Sequence, residues 1–88
     1  MAKTEWPAWW NWELELTPHL FKRMLDRGFT EVDLRGMLER ATGHLADICD
    51  GRFIVETRHA GKPWQVIVEP DEEDFLLVIV TAYPVEPR

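Results

Sequence analysis

"TPHLFKRMLDRGFTEVDLRGMLERATG" (residues 17–43) decides how this chain folds. Thr17 suits an N-cap, and Pro18 suits the first helical position, where a missing N–H costs nothing. Leu20, Phe21, Met24 and Leu25 recur at helical spacing, and Gly28 supplies the stop. Thr30 caps again, with Asp33 standing where a capping box has Glu. Leu34, Met37, Leu38 and Ala41 continue the helical period until Gly43. Gly36 weakens this second run by about 1 kcal/mol relative to Ala, or lets something pack closely. With a connection of about two residues, the segment reads as a helical hairpin.

On either side the period changes. In "WPAWWNWELEL" (6–16), Trp12, Leu14 and Leu16 alternate with Glu13 and Glu15, as in a half-buried strand. After Gly43, "HLADICDG" reads as irregular and extended, with a turn at Asp50-Gly51. Residues 52–58 read as a strand, 59–62 as a turn, 63–70 as a strand with Trp64, Val66 and Val68 on one face, and 71–74 as an acidic turn. Residues 75–85 read as a strand that is apolar on both faces from Phe75 to Val80, which places it centrally in the sheet. The order β-α-α-β-β-β predicts one α+β domain in two layers, a helical hairpin packed on a four-stranded, mainly antiparallel sheet. Residues 12–85 form its core, and 1–11 form a Trp-rich N-terminal segment.

Composition narrows the function. Eighty-eight residues make one domain with a thin core, and 45% hydrophobic with 30% charged residues is the balance of a folded chain. No apolar run approaches the ~20 residues of a membrane span, and no signal-like core follows the N-terminus, so the expectation is a cytoplasmic protein without a membrane role. Cys49 is the lone cysteine and excludes an internal disulfide. With His19, His44 and His59 scattered, no metal or cofactor is expected. The net charge of −6 argues against a general nucleic-acid binder. The charge is uneven, however: residues 17–62 hold eight of the ten Lys/Arg and seven of the sixteen Asp/Glu, a net of +1. Any cationic patch lies there.

Four groups could carry function. His19, Arg23 and Arg27 rise along one flank of the first helix, beside its apolar stripe, within an arc of ~80°. A His can move a proton and two Arg can clamp a phosphate, or the three form a solvated helix edge. Arg58, His59 and Lys62 crowd one turn beside Trp64, where they could grip a phosphate or simply face water. Glu56, on the same strand face as Arg58, is either half of an exposed ion pair or a carboxylate available for proton transfer. Thr81 and Tyr83 share a face at the end of the last strand, where a tyrosine can donate to an oxyanion or equally be a core residue with a wet tip. Trp6, Trp9 and Trp10 either cap the sheet or form a partner-binding patch.

"HLFKRMLDRGFTEVDLRGML", followed by "RFIVETRHAGKPWQVIVEPDEEDFLLVIVTAYPV", resembles the domain-of-unknown-function family 4258 over roughly residues 17–85. Its helical start, His-x-x-x-Arg-Met-x-x-Arg-Gly-[Ile/Phe]-[Ser/Thr], is met by His19, Arg23, Met24, Arg27, Gly28, Phe29 and Thr30, and its final strand by Val80 to Tyr83. The family is similar in fold to the RelE/ParE toxin superfamily, whose members include RNA-cutting toxins often neutralised by an antitoxin. The resemblance implies a toxin-type domain that cleaves RNA without a metal. His19, His59 and Tyr83 would be catalytic, Arg23, Arg27, Arg58 and Lys62 would hold phosphate, and an antitoxin-like protein or a second copy would be the partner. The alternative is a non-catalytic interaction module, pairing with itself or a partner through Trp6, Trp9 and Trp10.

Overall fold

A computed structural model of the chain describes residues 6–85. A short 3-10 turn (Ala8–Asn11) leads into β1 (Glu13–Leu16), α1 (Pro18–Arg27), α2 (Glu31–Glu39), β2 (Gly43–Ala46), β3 (Phe53–His59), β4 (Lys62–Asp71) and β5 (Leu76–Pro84). The helix-start signals and Gly28 act as expected, whereas α2 ends at Glu39, short of the expected stop at Gly43, which instead opens β2. Thr17 Oγ1 accepts from the Leu20 N–H, and Gly28 closes α1 at φ 68°, where a side chain would be strained. At α2 the capping box is complete: Thr30 Oγ1 accepts from the Asp33 N–H, and Asp33 accepts from the Thr30 N–H.

The sheet differs from the expectation. It has five strands, in the order β1-β5-β4-β3-β2, and it is mixed. β2 is the fifth, paired antiparallel with β3 from Gly43↔Glu56 to Ala46↔Phe53. Its four residues, Gly-His-Leu-Ala, lack both alternation and β-branched side chains, so its strand character comes from the partner and not from its own sequence. β1 runs parallel to β5, from Glu13↔Leu76 to Leu16↔Ile79. No local pattern could reveal that pairing, because its partners lie about sixty residues apart. β3, β4 and β5 form an antiparallel meander; β5 is interior, between β1 and β4, but the middle strand is β4 and not β5 as its apolar run predicts.

The β3–β4 link is a two-residue turn, Ala60-Gly61, with both φ positive (52° and 77°) as a type I′ hairpin requires. In β5 one extra residue, Val80, enters between the pairs Val68↔Ile79 and Ile67↔Thr81. This bulge resets the alternation, so that Leu77, Ile79 and Ala82 all point into the core.

Both helices lie on one face of the sheet. Leu20, Phe29, Leu34 and Met37 pack there against Val55, Trp64, Val66, Val68, Leu77 and Ile79. The α1 stripe is narrower than predicted: Leu20 is buried and Met24 packs on the core, but Phe21 and Leu25 are 51% and 86% exposed. Thr57, the buried polar residue, donates its hydroxyl to the Met37 carbonyl in the last turn of α2, which the helix itself leaves unpaired. Trp9 is also buried and meets Phe53 with ring centroids 5.0 Å apart. Trp9, with Trp10 packed against it, therefore completes the core; residues 1–5 of the Trp-rich segment lie outside the described residues.

Candidate functional site

The other sheet face carries no helix. Register places Tyr83, Gln65 and Glu56 side by side across β5, β4 and β3, with Arg58 one step further along β3. Tyr83 donates its hydroxyl to Gln65 Oε1 at 2.8 Å. A groove of about 340 Å3 is lined by Glu56, Arg58, Pro63 and Gln65, with Thr42 and Val85 also on its walls. Glu56 and Arg58 do not form an ion pair. Instead Arg58 Nη2 donates to the Gly61 carbonyl at 3.0 Å, which holds the guanidinium against the hairpin turn. The Glu56 carboxylate makes no hydrogen bond among the described residues, so it faces the groove as a free acceptor.

Arg27 reaches this face from the helix side. β1 is only four residues long, so β5 from Val80 to Pro84 would be left with a bare edge. α1 lies along that edge. Thr17 Oγ1 donates to the Ile79 carbonyl at 3.2 Å, and Arg27 Nη1 donates to the Ala82 carbonyl at 2.9 Å and to Thr81 Oγ1 at 3.2 Å. The Arg27 guanidinium then sits 6.0 Å from the centre of the Tyr83 ring. A charged side chain at a sheet edge also blocks pairing with another chain. The arginine at the end of the helical flank is thus an edge clamp and a neighbour of the tyrosine.

The other expected site residues lie elsewhere. Arg23 pairs with Asp26 at 3.0 Å on the exposed surface of α1. His19 is exposed near the start of that helix, eight residues or ~12 Å of helical rise from Arg27. His59 alternates with Val55 and Thr57, so it faces the helix layer and meets Trp64 edge-on at 5.4 Å. It therefore lies on the opposite side of the sheet from Arg58 and Tyr83. Lys62 is exposed at the hairpin, opposite His59. Of the three tryptophans, Trp9 is in the core, while Trp6 stacks on Trp10 at 4.2 Å and also meets His44 at 5.1 Å.

Two residues escaped the sequence reading. Gln65 lies between Tyr83 and Glu56 in register and accepts from the Tyr83 hydroxyl; its one signal is that it faces away from Trp64, Val66 and Val68. Arg40, at the C-cap of α2, donates through Nε and Nη2 to the Arg58 carbonyl, 3.3 Å each, and so braces the backbone beneath Arg58. Among the described residues no group of His, Cys, Asp and Glu could hold a metal ion, and no helix is long and apolar enough to cross a membrane.

These features define a class: a small α+β domain whose uncovered sheet face presents an arginine, a carboxylate and an anchored tyrosine. The family model described as domain of unknown function 4258 matches residues 16–84, and the chain belongs to that family. No curated protein and no solved structure matches it.

Proposed function

We propose that the protein is a RelE/ParE-like toxin-type domain that cleaves RNA without a metal, working through its uncovered sheet face. The observation that carries this reading is the row Tyr83–Gln65–Glu56, with Arg58 beside it and Arg27 against the Tyr83 ring. Glu56, unpaired, takes the proton of a ribose 2′-hydroxyl as that oxygen attacks the adjacent phosphorus. The bond from phosphorus to the 5′ oxygen breaks, a 2′,3′-cyclic phosphate forms, and the leaving oxygen takes a proton from Tyr83. Arg58 and Arg27 offset the charge that builds on the phosphoryl oxygens. In this reading Glu56 replaces His19 and His59, which lie away from the groove. An antitoxin-like partner would act by covering the same face.

The test is expression in cells, followed by growth and RNA integrity, for wild type, Arg58→Ala, Glu56→Gln and Tyr83→Phe. Arg27 is left intact because it holds the β5 edge. Wild type should arrest growth and cleave RNA, and each variant should lose about 100-fold or more, the scale of one acid–base or charge-stabilising group. Equal behaviour of folded wild type and variants would sink the proposal.

A second reading, the non-catalytic interaction module, is favoured by the acidic charge of −6 and by the half-buried Trp6–Trp10 stack at the surface. It expects a dimer or complex that weakens in Trp10→Ala; a wild type that sediments as a monomer and captures no partner counts against it.

A further inference from the structure

A second groove, on the helix side of the sheet, has a different chemistry. It measures about 260 Å3 and lies between the 3-10 turn, β1 and α2. Trp10, Trp12, Leu38 and Leu77 form its apolar walls, and Arg35 and Glu39 stand one helical turn apart at its side. We propose that this groove binds a small organic cation, an alkylated ammonium or guanidinium group, between the two indoles and the Glu39 carboxylate.

The two charges are not equivalent. Arg35 Nε is bonded to Glu31 Oε2 at 3.1 Å, so its charge is met on its own helix. Glu39 has no ion pair or hydrogen bond among the described residues. The groove thus carries one unmatched negative charge on a protein whose net charge is already −6. An anion is repelled. A neutral apolar guest would strip water from Glu39 without replacing it. A cation satisfies the carboxylate and also gains from the indole faces, which attract positive charge through their quadrupoles.

The indoles are held in place before any ligand arrives. Trp10 is stacked on Trp6, and Trp12 meets Phe75 edge-on with ring centroids 5.3 Å apart. Fixing these rings in advance removes an ordering cost that a flexible site would meet on binding. The groove is smaller than the ~300–1,000 Å3 of drug-sized sites, so it suits a single headgroup. The same chemistry is carried by a free quaternary ammonium and by the tip of a partner's Arg side chain. The groove is independent of the sheet face assigned to RNA, so either proposal stands without the other.

The experiment titrates the full chain with choline, with N-acetyl-arginine amide, and with dimethylbutanol, the neutral carbon isostere of choline. Tryptophan fluorescence and the NMR signals of the indole N–H groups report binding. At least one of the two cations should saturate and shift the Trp10 and Trp12 signals. Dimethylbutanol should bind about tenfold more weakly or worse, and Glu39→Gln should weaken the cation by a similar factor with unchanged circular dichroism. A response to choline alone supports a free small molecule, and one to the arginine amide alone supports a partner's side chain. Equal binding of the neutral isostere, an undiminished Glu39→Gln variant, or no saturable response to either cation overturns the proposal.

Discussion

Arg27 shows how one side chain can serve structure and surface together. Its guanidinium bonds to the Ala82 carbonyl and to Thr81 Oγ1, on the part of β5 that β1 leaves bare, and lies against the Tyr83 ring. These bonds are partly exposed, so each contributes about 1 kcal/mol or less. Arg27→Ala should lower stability by roughly 1–2 kcal/mol in urea denaturation and broaden the Tyr83 ring signals. Arg27→Lys should recover only part of this, because one ammonium cannot reproduce a planar fork with two acceptors in fixed places. An unchanged denaturation midpoint in Arg27→Ala would mean that the edge is held by Thr17 alone. Arg23 has a similar place in the sequence but pairs with Asp26 on the surface, and its replacement should be near neutral.

At the scale of elements, the first turn of α2 gives the clearest titration. Asp33 is held below the usual carboxylate range, chiefly because it accepts the Thr30 backbone N–H, with the Thr30 hydroxyl and the charges of His59 and Arg40 adding to the effect. Since its folded value is depressed, its stabilising contribution is present above the ordinary value of about 3.9 and is lost as pH falls through the folded value. Thermal unfolding should place Asp33→Asn below wild type at neutral pH. The gap should shrink in acid, and a gap independent of pH would rule out the carboxylate as its source. Such elements were legible in the sequence because caps and apolar periods are local: Thr17, Gly28, Thr30 and Asp33 sit where their side-chain chemistry requires. β2 was not legible, since Gly43–Ala46 has little strand preference of its own. The candidate site was half legible. Arg58 and Tyr83 stood out as polar residues on strand ends, whereas the exclusion of His59 depends on the face to which register turns it.

At the scale of the whole molecule, the parallel pairing of β1 with β5 governs the rest. It joins residues 13–16 to 76–79, and it sets how far α1 must extend to cover the remaining edge. A chain ending at Asp74 would leave β1 and β4 without their shared partner, and Leu14, Val66 and Val68 without Leu77 and Ile79. Its NMR spectrum should show the narrow amide dispersion of an unfolded chain, and a well-dispersed spectrum would mean that the hairpins fold alone. The same pairing fixes an order of events during synthesis. β1 is made before both helices and before β2, β3 and β4, and β5 after them, so β1 must wait for about sixty further residues before its partner is translated. Until then Trp9 and the helix faces have no finished sheet to pack on, and this domain is at its most exposed to chaperones and proteases just before β5 emerges.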